Sequence, residues 1–505
     1  MADLYLREDG TAVDRNTAIG PETDASACMT ITTYKAGSKS NGDVLFLSDL
    51  GGDFTDHLLT YANDVEHRNI GSGKPFVISG TNEAYSTGGG RSGVTYDGVD
   101  GEGIENVMTI ANLNDVVVQN IEPISNTWTS SMIRVFGASA TSDAINTLIQ
   151  NNTLTNPAET ASMINIDAKG FKYDNFTMIG NQQTGGKYMY FASGVAGQSF
   201  GSDRFVFTDN IVDGAVKDII ITGHGLAWDG LEVNRGIIAR NVSNNLGRVD
   251  ELNTNAYGLQ WCIGAIVEFN VSNGVIQDPA AEGDGSGFIL DWAFRNDGYL
   301  CNGVLLRLNR ANGHKSHISA PGIHAFKSVD GLIYCNACYD NSVGIKQTNG
   351  DATVGNLSYN NTVVDCTEDS VLMNPVSGQS ALTGASFINN IFVNAKYNVR
   401  VQNQALNPTL DYNCYFGATV ETTWNGPNAA VIPIGANSIE LDPLFVDAQN
   451  NNYNLQKNSP CVGVGTKWWG NGARPETLSG EPLPDTKIDL GAYQSTWDAN
   501  HPKNL

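Results

Sequence analysis

The feature that most constrains this chain is a short β-rich run ending in Asn that recurs along its middle. VVVQN ends at Asn120, TLIQN at Asn151 and FKYDN at Asn175. FVFTDN follows at Asn210, IIARN at Asn241, IVEFN at Asn270 and LLRLN at Asn309. LIYCN ends at Asn336, NLSYN at Asn360 and SFIN at Asn389. The marks stand roughly 24 to 39 residues apart, the scatter expected when loops of variable length interrupt a constant structural unit. Between them lies a second set of runs: MIRVFG, MINIDA, YMYFAS, GLQWCI, GFILDW, GIHAFK and VGIKQT. Each is short, rich in β-branched and aromatic residues, and bounded by Gly, Asn, Asp or Ser, so each reads as a strand. No amphipathic helical stretch separates them, which argues against βαβ units. A strand-turn-strand coil about every 30 residues suits a solenoid of stacked parallel strands. Its Asn residues suit the corners, where Asn tolerates left-handed geometry and its amide can stack on the next coil's. A propeller blade would repeat at about 40–45 residues.

Composition fits this reading. Gly 55 against Pro 16 marks a turn-rich chain, and 41% hydrophobic residues can fill a core. Acids outnumber bases 53 to 29, a formal charge of −24. That balance repels nucleic acid and anionic membrane surfaces, so neither is an expected partner. It would also oppose a polyanionic polysaccharide unless basic residues cluster locally. No apolar run is long enough for a membrane-spanning helix. The start, MADLYLREDG, is not a secretory signal. A trimmed leader or release with a virus particle would account for it, giving an expected location on a virion or outside the cell. The eight Cys are scattered rather than framed for disulfides; Cys335 and Cys338 form a C-x-x-C read as two buried small hydrophobes.

Two terminal segments carry a family resemblance. DVLFLSDLGG and GKPFVISG, within 43–80, resemble the entry segment of pectate-lyase-like β-helix proteins. LDYNCYF (410–416), IELDPLFVD (439–447), YNLQKNSPCVGVG (453–465) and IDLGAYQ (488–494) resemble the closing segment of bacterial β-helix proteins, polysaccharide lyases among them. The resemblance implies an all-β, right-handed parallel β-helix over 43–410, with an N-terminal cap at 1–42 and a C-terminal closing segment at 411–505. It implies little about activity, because the superfamily holds lyases, hydrolases, epimerases and phage tailspikes.

Strand alternation then picks out side chains. It turns Phe288, Leu290, Ile323 and Ala325 inward, and Ile289, Asp291, His324, Phe326, Lys346, Gln260 and Arg134 outward. Gln260, Asp291, His324 and Lys346 would form one patch over four coils. Asp291, His324 and Lys346 are the candidate catalytic residues: a lyase needs a base beside a uronate carboxylate and a cation for the developing charge. His324 or Lys346 would be that base, whereas a hydrolase needs two spaced carboxylates. The plain alternative is an ordinary solvated strand face. Gln260, Trp292 and Arg295 are expected to bind substrate beside them. A second cluster, Trp228, Asp229 and Glu232, has the Trp-plus-acid character of sugar sites. His314, His317 and His324 are set aside as metal ligands for want of defined spacing. No cofactor is expected; calcium at the acid loop around Asp284 is the weaker alternative, since a run of aligned Asp is missing. Trp468 and Trp469 are expected to cap the solenoid's open end.

The functional expectation is a polysaccharide-recognising spike or fibre of a phage or phage-like particle, homotrimeric, that binds and in some forms cleaves host-surface polysaccharide. The alternatives are a secreted polysaccharide lyase or glycoside hydrolase, and a non-enzymatic adhesion scaffold.

Overall fold

In the computed structural model the described residues are 3–7, 9–13, 17, 23–30, 33–34, 44–47, 76–80, 106–111, 116–119, 131–136, 144–145, 147–156, 162–168, 173–194, 202–215, 219–221, 233–234, 236–248, 255–260, 262–277, 285–291, 303–315, 320–326, 328, 330–348, 356–374, 384–402, 408–425, 432–469, 474–478 and 480–495. The chain divides into two compact units, Met1–Ile237 with Asn241–Ser243, and Ile238–Arg240 with Asn244–Leu505.

In unit one the first sheet stacks Asp3–Leu6, Val44–Leu47, Phe76–Gly80, Val116–Gln119, Thr147–Gln150, Phe176–Ile179 and Phe205–Thr208 in order. The second contains Asn106–Ala111, Ser131–Phe136, Ser162–Ala168, Tyr190–Gly194 and Ile219–Ile221. The third contains Thr153–Asn156, Gln182–Gly185 and Ile211–Asp213. Pairing is parallel and one coil apart in sequence, as in Phe176↔Phe205 and Gln182↔Ile211. Because Asp3–Leu6 already pairs with Val44–Leu47, stacking begins inside the stretch expected to be a separate cap. The core is aromatic where Phe176, Tyr190, Phe205 and Phe207 meet, with ring centroids 4.5 Å apart for Tyr190 and Phe207. Each fully buried large apolar side chain contributes about 1.5–3 kcal/mol.

Unit two repeats the plan. Its first sheet runs Ile266–Glu268, Leu305–Arg307, Leu332–Tyr334, Leu357–Tyr359, Ser386–Ile388 and Thr409–Asp411. Its second runs Tyr257–Gln260, Phe288–Asp291, Pro321–Phe326, Val343–Thr348, Asp369–Met373, Tyr397–Gln402 and Val420–Asn425. Its third runs Val271–Gln277, Arg310–His314, Ala337–Tyr339, Thr362–Val364, Ile391–Val393 and Cys414–Phe416. Tyr397–Gln402 pairs in parallel with Val420–Asn425, so coil stacking continues past residue 410, the boundary expected from sequence. The architecture is a right-handed parallel β-helix, the hand that crossovers between parallel strands adopt in nearly every case.

Among the described residues, each coil from Thr147–Gln150 onward turns from the first sheet to the third at one device, and it takes two residues rather than one. The first has positive φ: Asn151, Gly180, Asp209, Arg240, Phe269, Leu308, Cys335, Asn360, Asn389 and Tyr412 all lie between 51° and 65°. The next residue is always Asn. In unit one Asn152 donates to Asn181, Asn181 to Asn210 and Asn210 to Asn241, Nδ2 to Oδ1 at 2.8–3.0 Å. In unit two the chain of amides runs Asn270, Asn309, Asn336, Asn361, Asn390, Asn413. Each Nδ2 also donates to a strand carbonyl, Asn336 to Leu306 at 2.8 Å for example. Within each unit the Oδ1 of every rung after the first also accepts the preceding ladder Asn's backbone N–H, so that acceptor is used twice. The last rung, Asn413, takes the Ser438 hydroxyl as its backbone acceptor.

The sequence marks therefore need correction. Asn210, Asn241, Asn270, Asn309 and Asn336 are ladder residues, but Asn151, Asn360 and Asn389 are the left-handed residues one step earlier. Asn175, also at positive φ, precedes the first-sheet strand at another corner; Asn120 lies outside the described residues.

The segment after Asn425 packs against unit two's own coils. Trp468 stacks on Tyr359 at 4.4 Å and 5°, and its indole N–H donates to Asn360 Oδ1 at 2.8 Å. Asn360 Nδ2 donates to Asp489 O, and Ala492 N–H to Thr362 Oγ1. Trp468 thus covers a sheet flank formed by Tyr334 and Tyr359, not an open end.

Candidate functional site

The second sheet of unit two carries the backbone positions of the four strand-face residues expected from sequence. Its register pairs Gln260 with Asp291, Ile289 with His324, and His324 with Lys346. The four predicted residues therefore occupy two neighbouring rungs rather than one row: Gln260 and Asp291 on one, His324 and Lys346 on the other. The second rung continues through Leu372, Arg400 and Thr423.

Side-chain directions alternate along Val343–Thr348. Gln347 points inward, its amide within reach of Asn356 O and Ser358 Oγ at 3.3 and 3.4 Å. Its neighbour Thr348 lies on the other face, where His324 Nε2 meets its hydroxyl at 3.0 Å and the Phe326 ring lies 5.4 Å from the imidazole. Exposure was misjudged, however. His324 is 1% exposed, Ile289 2% and Lys346 7%. Period-two patterning fixes how a side chain leaves a strand, not what lies above it.

Two further coils add residues that sequence reasoning missed. Asp369, fully buried, forms an ion pair with Arg400, and Arg400 lies over the Tyr397 ring at 4.9 Å. Lys396 approaches the same ring at 5.3 Å and pairs with Glu368 at 3.0 Å. Burial raises the Asp369 carboxyl to about 6 against the pull of Arg400. Such a group exchanges its proton near neutrality, the property required of an acid or base. These positions were legible: DSVLM and YNVRVQ continue the strand pattern for two coils beyond VGIKQT.

Trp228, Asp229, Glu232, Trp292, Arg295, Asp284 and His317 lie outside the described residues. His314 is interior, its Nε2 3.2 Å from Ser272 Oγ, and burial lowers its pKa to about 4. Among the described residues no group of three His, Cys, Asp or Glu could hold a metal ion. Cys335 and Cys338 are both fully buried, and burial pushes their thiols up.

With coils about 4.8 Å apart, the row from His324 to Arg400 spans roughly 14 Å along the stack. Along it stand an imidazole, an amine, the apolar Leu372 and a guanidinium, the last paired with the Asp369 carboxyl of raised pKa.

A family model described as "Domain of unknown function (DUF5123)" matches residues 356–467, from the Leu357–Tyr359 coil to the residue before Trp468. No curated protein matches the chain. Among solved structures the chain is similar to the Azotobacter vinelandii mannuronan C-5 epimerase AlgE6 A-module, at 15% identity and TM-score 0.44, over 70% of this chain and 90% of that one. It is also similar to pectate lyase Pel9A, at 13% identity and TM-score 0.40, over 98% and 97%.

Proposed function

We propose that this chain recognises an acidic polysaccharide along the outer face of the second sheet in unit two, and that the same face can process it. The carrying observation is that one row of this sheet holds His324, Lys346 and, beyond the intervening Leu372, Arg400, with Lys396 just ahead of the Arg400 strand, in a chain whose formal charge is −24. Basic groups there would offset part of the general repulsion at short range, where screening is weak. In a lyase reading Lys346 or His324 removes the proton beside the uronate carboxylate, Arg400 stabilises the charge that develops, and Asp369 supplies a proton to the leaving oxygen.

The test is incubation with a panel of uronate-rich and neutral polysaccharides, reading binding and the ultraviolet absorbance of unsaturated uronate. Binding of the acidic polymers, weakened at least tenfold by Lys346→Ala or Arg400→Ala and by raised salt, is expected. Equal binding of neutral polymers, or variants indistinguishable from the parent, would discard this face. Release of reducing ends without unsaturated product would indicate a hydrolase; binding with no product would indicate an adhesion scaffold. The spike form of the proposal adds a prediction of its own. A phage or phage-like spike binding host-surface polysaccharide would be a heat- and detergent-resistant homotrimer. A monomer at every concentration leaves the secreted lyase or hydrolase form.

A further inference from the structure

Cys414 begins the third-sheet strand Cys414–Phe416, and Cys461 lies in the closing segment just after Ser459. Both side chains are fully buried in one apolar cluster with Ile391, Tyr453, Leu455 and Leu490, and both are free thiols. Cys461 packs with Cys414 in that cluster, while Cys414 Sγ reaches Leu441 O at 3.2 Å. The backbone is fixed on both sides: Cys414 N–H donates to Asn390 O at 2.8 Å, and Leu490 N–H to Cys461 O at 3.0 Å. Cys461 N–H donates to Ser459 Oγ at 3.1 Å. Two thiols are thereby held against each other across the boundary between coil and closing segment.

We propose that Cys414 and Cys461 are a latent disulfide that staples the closing segment to the coil when the chain meets a disulfide oxidant such as oxidised glutathione. One cysteine loses its proton and attacks a sulfur of the oxidant, releasing one glutathione thiol and leaving a mixed disulfide. The second cysteine, deprotonated in turn, attacks the protein-side sulfur and releases the second glutathione thiol. The two protein S–H protons end on the two glutathiones, the protein pair is oxidised, and the glutathione disulfide is reduced. Its interaction with Cys414 and its burial keep the Cys461 thiol protonated, so the closed protein reacts slowly and opening of the closing segment sets the rate. The cross-link would hold together a long stretch of chain, the circumstance in which a disulfide restricts the unfolded state most. This reading is independent of what the second sheet binds.

The experiment takes the full chain, reduced and then exposed to oxidised glutathione with and without sub-denaturing urea. Remaining thiols are blocked, the protein is digested, and disulfide-linked peptides are mapped by mass spectrometry. The expected product is one linked pair joining the peptides of Cys414 and Cys461, lighter by two hydrogens, formed faster in urea and absent from Cys414→Ser and Cys461→Ser. The oxidised protein should melt above the reduced one. Cross-links elsewhere with Cys414 and Cys461 still free, or glutathione retained on either without closure, would overturn the proposal. Wild-type mapping decides the matter even if a serine variant fails to fold.

Discussion

Asn336 makes four buried contacts with one primary amide. Its Nδ2 donates to Leu306 O and Asn361 Oδ1, and its Oδ1 accepts from Asn309 N and Nδ2. Asn336→Ala orphans several of these partners at once, and a loss of roughly 2–4 kcal/mol in urea-unfolding free energy is expected. The residue ahead of each ladder Asn obeys a different rule, since it needs only positive φ. Arg240, exposed at φ 56°, should accept Gly with a gain of up to about 1 kcal/mol, and Val with a comparable loss. Two buried titrating groups give stability opposing pH slopes. The folded value of His314, about 4, lies below its ordinary 6.5. Its contribution is therefore complete above 6.5 and is lost as pH falls toward 4. Asp369 is raised from 3.8 to about 6, so its contribution is complete below 3.8 and is lost as pH rises through 6. Asp369→Asn should unmask the His314 slope, making stability rise with pH between 4 and 6 by up to about 1.4 kcal/mol per pH unit relative to the parent. Parallel pH curves for parent and variant would refute it. The Asn repeat was readable at once, but its division into a left-handed residue and an amide residue was not. Leu308, Cys335 and Tyr412 occupy the left-handed position with no chemical hint in their side chains.

At the scale of the element, the strands were the easiest part to read and the surfaces the hardest. GFILDW and VGIKQT fell within or upon the strands Phe288–Asp291 and Val343–Thr348, because β-branched runs between turn residues have few other stable conformations. Whether the outer face of a strand meets water depends on residues distant in sequence. His324 and Lys346, expected to be solvent-exposed, are consequently found buried. The closing segment shows the same limit: YNLQKNSPCVGVG was recognisable as a closing motif, yet nothing local indicated that Trp468 would lie flat on Tyr359. Trp468→Ala removes that stack and the bond to Asn360, and a loss of roughly 2–4 kcal/mol is expected. Hydrogen exchange should then quicken across 453–495 first, with the ladder amides of Asn309 and Asn336 still protected. Uniform quickening would show instead that segment and coils unfold together.

For the molecule as a whole, a formal charge of −24 makes folding work against self-repulsion. The melting temperature should rise with sodium chloride and level off near 0.1 M and above, where the screening length is about 10 Å or less. A flat or falling curve would mean that paired acids, such as Asp485 between Lys467 and Arg474, already neutralise the dominant repulsions. The ladder has a further consequence, for how such a chain can change length. Its rungs are interchangeable junctions: a left-handed residue followed by Asn recurs every coil, whatever the neighbouring side chains. Excising residues 181–209 would join Gly180 directly to Asn210, recreating the same junction one full turn shorter. Genetic loss or duplication of such a block leaves strand parity and hydrogen-bond phase intact, whereas deletion of a single residue inside a strand turns the rest of that strand's side chains onto the other face. The chain is in this sense digital, open to lengthening or shortening by copying whole words rather than by adding letters.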